Sequence, residues 1–292
     1  MAGARPVVMG IVNATPDSFS GDGGSAEGLD ALVARAHALV GDGATLIDVG
    51  GESGVTNRPA VPAVQEIERV VPLVGRLAAA GLRVSVDTWK AEVASAALEA
   101  GAVMVNDVSG LRDPRMASVC AQADATLVIT HTRTAPKQKA FPPYDDVVED
   151  VMEFLAERIG HAVEAGVDAE RIVVDPGVDL AKTPAQSVEL LRRLGDLRAL
   201  AKPILLAVSR KDFVGALTSR APRERLGGTL AAVGAGVDAG AAILRVHDVA
   251  HVVDYLRVRA ALNGDELVPP GLRLPEGLLR VPSRPSAGAP PG

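Results

Sequence analysis

The stretch "RVSVDTWKAEVASAALEAGAVMVNDVSG", residues 83–110, decides the fold. It opens on a short β-branched run, 83–87, that ends in Asp87. An Ala/Leu/Val/Glu-rich segment with helical spacing follows and closes at Gly101, placed as a C-cap. A second apolar run, 102–106, then ends in Asn106. Near-continuous apolar strands alternating with helices indicate a parallel sheet covered by helices.

Working outward, the same rhythm occurs eight times. The other runs are "VVMGIV" (7–12), "TLIDV" (45–49), "TLVITH" (126–131), "IVVDP" (172–176), "PILLAVS" (203–209) and "AAILRVH" (241–247). Eight such units predict a (β/α)8 barrel of the TIM type, forming a single α/β domain over residues 1–265. A doubly wound open sheet is the structural alternative, because strand order is not visible in a sequence. Beyond residue 265 the rhythm dissolves into "LVPPGLRLPEGLLRVPSRPSAGAPPG", which holds seven of the 20 prolines, so 266–292 is expected to be an irregular, flexible tail.

Composition narrows the function. The 292 residues are 48% hydrophobic, enough for one barrel of roughly 250 residues or for two small domains. A net charge of -6 offers no basic stripe for nucleic acid, although a local basic pocket suits a small phosphate. The one cysteine, Cys120, has no intrachain partner and reads as core. No apolar run approaches the roughly 18 residues that span a bilayer. A cytoplasmic protein without membrane contact is expected. Aromatics are only 2% of residues, so a ligand is expected to be gripped by polar groups.

Strand ends carry the argument further, since a parallel barrel places its site at the C-terminal mouth. The eight runs lead to Asn13, Asp48, Asp87, Asn106 with Asp107, His131, Asp175, Ser209 with Lys211, and Arg245 with His247. Capping of the following helix is the plain reading of Asp87-Thr88 or Asn106-Asp107 taken singly. Eight together point to a site. Asp87, Asn106 and Asp175 suit a flat ring with N–H and amino donors, such as a guanine or a pterin. Asn13, Ser209, Arg245 and His247 are neutral donors or cations, and Arg suits phosphate oxygens. His37, His161 and His251 read as surface residues.

In order along the chain, "MGIVNATPDSFSGDGG", "IDVGGES", "VSVDT", "VNDVSG", "THTRTAP", "VVDPGVDLAKT", "VSRKDFVG" and "RVHDV" resemble the motifs of the dihydropteroate synthases, the pterin-binding barrels of folate biosynthesis. The resemblance runs from about residue 7 to 250. It implies condensation of 6-hydroxymethyl-7,8-dihydropterin diphosphate with p-aminobenzoate, giving 7,8-dihydropteroate and diphosphate. The ring would sit on Asp87, Asn106, Asp175 and Lys211, with Asp48 nearby. Arg245, His247 and Asn13 would take the diphosphate, Asn13 also serving Mg2+, which needs few protein ligands beside a diphosphate. The resemblance places Phe19, Thr56, Arg58, Pro59 and Ser209 around p-aminobenzoate, and Asp22 with Arg58 among the catalytic groups on mobile loops, beside Lys211, Arg245 and His247. His247 has a plain alternative as a general acid. A homodimer and sulfonamide sensitivity follow from the family.

The chain departs from its relatives in the second loop, where "GVTN" stands between Gly-Gly-Glu-Ser and Arg58-Pro59. Either Thr56 and Arg58 act from shifted positions, or the second subsite takes a different arylamine. "PGVDLAK" also places Val178-Asp179-Leu180 where an aromatic often lines the pterin pocket. Other readings stay open from the sequence: a pterin-binding paralogue without this activity, a pterin-dependent methyltransferase, and a barrel aldolase with Lys211 as its Schiff base.

Overall fold

The computed structural model describes residues 5–15, 26–54, 56 and 59–278. Its strands are β1 (Val7–Asn13), β2 (Leu46–Gly50), β3 (Val84–Asp87), β4 (Met104–Asp107), β5 (Thr126–Thr130), β6 (Ile172–Asp175), β7 (Ile204–Leu206) and β8 (Ala241–Val246). All eight pair in parallel in chain order, and β8 returns to β1, so the sheet is closed. The open-sheet alternative is thereby excluded, and the fold is the (β/α)8 barrel.

Helices α1 (Ala26–Gly41), α2 (Ala63–Ala79), α3 (Ala91–Glu99), α4 (Met116–Gln122), α5 (Val147–Glu164), α6 (Pro184–Arg192), α7 (Asp212–Thr218), α8 (Leu226–Asp238) and α9 (Val249–Asn263) surround it. Local sequence explains their ends. Asp146 caps α5 by accepting from the N–H groups of Val148 and Glu149. Thr183 and Gln186 form a capping box at α6, with Pro184 in the first turn. Past α2 and α5 the chain turns at Gly81 and Gly166, both with positive φ, as the glycine punctuation predicts.

The buried apolar residues form two separate clusters, which identify the two faces of each strand. One joins strands to helices. The other contains strand residues alone: Met9, Leu46, Met104, Val128, Val173, Leu205 and Ile243. With no helix among its members, this second cluster fills the barrel interior. Stepping two residues towards the mouth from Leu46, Met104, Val173 and Ile243 reaches Asp48, Asn106, Asp175 and Arg245. The interior is thus oily below and polar above, and the change occurs within one side-chain repeat.

No helix among the described residues is long and apolar enough to cross a membrane. Within the tail, residues 266–278 carry a single short 3-10 turn, Glu276–Leu278, and Leu267, Leu272, Leu274 and Leu278 are exposed.

Candidate active site

A cavity of about 740 Å³ opens at the C-terminal mouth, with Asp87, Asn106, Asp175, Lys211 and Arg245 in its walls. Five positions expected from strand ends therefore come together. At its floor Arg245 donates from Nε to Asp48 Oδ2 (2.6 Å) and from Nη2 to Asp87 Oδ2 (2.6 Å). Asp48 is fully buried and also accepts from Asn106 Nδ2 (3.3 Å). It does not reach the cavity; it stands behind Arg245 and Asn106 and fixes both.

This arrangement leaves unused hydrogen-bonding capacity. Asn106 donates to Asp48, while its Oδ1 is buried without a partner. Asp175 Oδ1 accepts from the Gly177 N–H (2.7 Å), which leaves Oδ2 for a ligand donor. A buried acceptor that lacks a donor costs on the order of 1–3 kcal/mol, so a ring bearing N–H groups gains by supplying one. Burial pushes Asp87 up to about 7, against Arg245 and with help from the neighbouring Asp48 charge. Burial likewise raises Asp175, against the Gly177 N–H and Lys211. Lys211 is lowered by burial and supported by Asp179 and Asp175.

Around this floor the expected residues divide. Arg245 was assigned to diphosphate by resemblance; its Nε and one terminal nitrogen are engaged by carboxylates, which leaves Nη1 for an anion. His247 bonds through Nδ1 to Ser209 Oγ (3.0 Å), and Ser209 is buried, so neither forms a cavity wall. Burial first, and then the cations Arg210 and Arg245, hold His247 down to about 4. This shift favours the neutral imidazole at pH 7. Ser209, expected near p-aminobenzoate, here meets His247 through its hydroxyl. Asn13 is exposed at the end of β1, outside the cavity walls.

Thr56 lines the cavity, whereas Pro59 is exposed and does not. Phe19, Asp22 and Arg58 lie outside the described residues. The base of the second loop is nonetheless well defined. Glu52 Oε1 accepts from Val61 N–H (3.1 Å), so the loop closes on itself. Lys90 pairs with Glu52 (2.7 Å) and with buried Glu66. From the β5–α5 loop, Lys137 donates to the Ser53 carbonyl (2.6 Å). Glu52, Ser53 and Val61, on either side of "GVTN", are therefore anchored.

Strand alternation settles the capping question. Asp107 turns away from the barrel and accepts from the N–H groups of Ser109 (2.7 Å) and Leu111 (2.8 Å), so it caps a turn. His131 also turns outward, since it follows inward-facing Thr130; it is fully buried and does not reach the mouth. Eight strand ends thus yield fewer than eight site groups. Cys120 is buried and His37, His161 and His251 are exposed, as read from sequence.

Sequence reasoning missed Trp89, Phe141 and Lys182, which line the cavity beside Asp179. Low aromatic content hid the fact that the single tryptophan stands at the mouth, with Lys90 Nζ 4.3 Å from its ring centroid. The signal for Lys182 was a lone lysine closing the short segment "GVDLAK". Asp179 holds Ser187 Oγ (2.9 Å) and the N–H of Phe213 (3.1 Å), a structural use of the position where an aromatic was expected.

Comparison with known proteins agrees with this geometry. The family model described as "Pterin binding enzyme" matches residues 9–247. A dihydropteroate synthase of Bacillus subtilis is 40% identical over 260 residues, covering 88% of this chain and 89% of that protein. A dihydropteroate synthase of Escherichia coli is 37% identical over 266 residues, covering 90% and 94%. Among solved structures, Xanthomonas albilineans dihydropteroate synthase with 4-aminobenzoic acid superposes with a TM-score of 0.83 at 45% identity, covering 91% and 94%. Yersinia pestis dihydropteroate synthase in complex with a sulfonamide drug gives 0.82 at 37%, covering 90% and 95%.

Proposed function

This chain belongs to the pterin-binding enzyme family, and on that footing we propose that it is a dihydropteroate synthase. It condenses 6-hydroxymethyl-7,8-dihydropterin diphosphate with p-aminobenzoate to give 7,8-dihydropteroate and diphosphate. The single observation that carries this reading is the polar floor of the barrel. Asn106 Oδ1 lacks a donor, the carboxyl of Asp87 is pushed up to about 7 and that of buried Asp175 is raised as well. A pterin presents ring N–H and amino donors, which answer this set.

In the reaction the arylamine lone pair forms the C–N bond at the pterin methylene. The C–O bond to diphosphate breaks, and the nitrogen loses its extra proton to solvent. The protein's contribution is electrostatic: a fixed ring, and cations beside the departing diphosphate. Asp87, Asn106, Asp175 and Lys211 hold the ring. Arg245, gripped from behind by Asp48 and Asp87, offers Nη1 towards the leaving group. Asn13, exposed at the end of β1, is assigned to the outer side of the diphosphate, His247 stands behind the wall on Ser209, and Thr56 lies on the p-aminobenzoate side.

Among the described residues no cluster of three or more His, Cys, Asp or Glu can hold a metal. The donor set fits Mg2+ bound chiefly through diphosphate and water, with the exposed Asn13 amide as one protein ligand. Mg2+ would supply charge neutralisation of the leaving diphosphate. A homodimer is part of the proposal; exposed Leu217 beside an apolar groove along α6, α7 and α8 supports it. So is a cytoplasmic location.

A diphosphate-release assay tests the reading. Release that requires both substrates, yields 7,8-dihydropteroate and is inhibited by sulfonamides is the expected result. A chain that binds pterin diphosphate and does not turn it over with p-aminobenzoate would instead be a pterin-binding paralogue, or one retuned to another arylamine through the 54–59 loop.

A further inference from the structure

Two buried titratable groups take no part in the chemistry above: Lys182 and His131. Lys182 is 1% exposed. Its Nζ donates to His131 Nδ1 (2.7 Å), to the Gly177 carbonyl (3.0 Å) and to the Leu180 carbonyl (3.1 Å). Three acceptors match the three N–H bonds of an ammonium and favour that form, while burial lowers Lys182 to about 7 against the support of Asp175. Because His131 accepts at Nδ1, its own proton sits on Nε2, which donates to Asp150 Oδ1 (2.9 Å). Burial, followed by the charges of Lys182 and Arg133, keeps His131 neutral, down at about 2. Arg133 in turn grips Asp150 (3.0 Å).

What this chain of contacts fixes is the loop from 176 to 182. Gly177, Asp179 and Ala181 have φ of 67°, 63° and 54°. A left-handed backbone is unfavourable for Asp and Ala, so the surroundings must hold it. At Gly177 any side chain would also collide with the His131 carbonyl. The carbonyls of 177 and 180 turn inward onto the ammonium, Tyr144 Oη donates to the Ala181 carbonyl (3.1 Å), and the capping box of α6 closes the loop.

Two groups of the ring site depend on that shape. The Gly177 N–H orients the Asp175 carboxylate, and Asp179 Oδ2 accepts from the Phe213 N–H (3.1 Å) in the first turn of α7, beside Lys211. We infer that Lys182 is a positioning residue for the condensation: its ammonium, aimed by His131 and Asp150, folds the 176–182 loop so that Asp175 and Lys211 meet the pterin together. The inference rests on the proposed reading of those two residues as pterin ligands.

Trp89, the only tryptophan, lines the same cavity, so its fluorescence reports occupancy by pterin diphosphate. Lys182→Met should raise the Kd for pterin diphosphate by roughly 10-fold or more. KM for that substrate should rise with it while kcat changes less. A lysine that merely stabilised the fold would lower the unfolding midpoint and the active fraction without moving KM. Two milder variants carry the test if Lys182→Met does not fold. His131→Asn puts an amide oxygen where Nδ1 lies and should stay within about 3-fold of the parent Kd; His131→Gln moves the amide outward, leaves Nζ an acceptor short and should weaken binding about 10-fold.

Folded Lys182→Met with the parent Kd, or equal affinities in the two His131 variants, overturns the inference. A folded parent chain that binds no pterin diphosphate overturns the functional reading itself. Loss of binding in Asp175→Asn beside unchanged binding in Lys182→Met overturns only the role of Lys182.

Discussion

Asp48→Asn is the sharpest probe of the barrel floor. Asp48 is fully buried, and its Oδ2 takes the Nε–H of Arg245 and one amide N–H of Asn106. An asparagine of the same shape can still present an oxygen to Arg245, but without the charge. A charge-assisted hydrogen bond contributes about 1.5–3 kcal/mol. The loss is moderated, because Asp87 remains on the same guanidinium and no longer faces a second carboxylate. A destabilisation of about 2 kcal/mol is therefore expected. Asp48→Leu also removes the acceptor and should cost about 3–5 kcal/mol, the range for breaking a buried pair.

Urea unfolding of the three proteins measures these differences, and titration of Trp89 fluorescence with pterin diphosphate follows the site. Pterin affinity in Asp48→Asn should fall roughly 10-fold, because Arg245 and Asn106 both lose their anchor. There is a second signature in pH. Burial holds Asp87 up at about 7, opposed by Arg245 and aided by the Asp48 charge. Removing that charge moves the Asp87 inflection in the binding profile to lower pH. A variant with parental stability, parental affinity and an unmoved inflection would show that Asp48 does not organise the floor.

Three further outcomes follow from the geometry. Asp175→Asn exchanges an acceptor for a donor facing ring donors, so the pterin binding free energy measured by calorimetry should weaken by about 2 kcal/mol or more, with the fold retained. Gly177→Ala forces a Cβ into the His131 carbonyl at φ 67° and should destabilise by at least about 2 kcal/mol in thermal unfolding, with loss of pterin binding. His247→Asn tests a sign: His247 is lowered to about 4 in the fold from 6.5, so between those values the unfolded chain binds one proton more and the parent loses stability as pH falls. Unfolding free energies across that window should show the variant's slope smaller by about 1.4 kcal/mol per pH unit, and equal slopes would mean that His247 titrates normally.

Much of this was legible in the sequence because it is encoded locally. The alternation of β-branched runs with glycine-terminated helices predicted eight strands, and every run lies within two residues of its strand at the start. The residues that line the floor, Asp87, Asn106, Asp175 and Arg245, were visible as polar ends of apolar strands. Closure was not legible, since β8 meets β1 across almost the whole chain and no local period records it. Closure in turn decides the electrostatics. Arg245 is clamped by carboxylates 197 and 158 residues away, which makes a cation read as a phosphate ligand the centre of a triad as well. The same dependence explains His131. A strand end has two faces, and one residue of register separates the mouth from the helix layer. Lys182 was hidden for a related reason: an ammonium enclosed by two carbonyls of its own loop and a histidine 51 residues away has no linear pattern, and only the folded backbone brings those acceptors together.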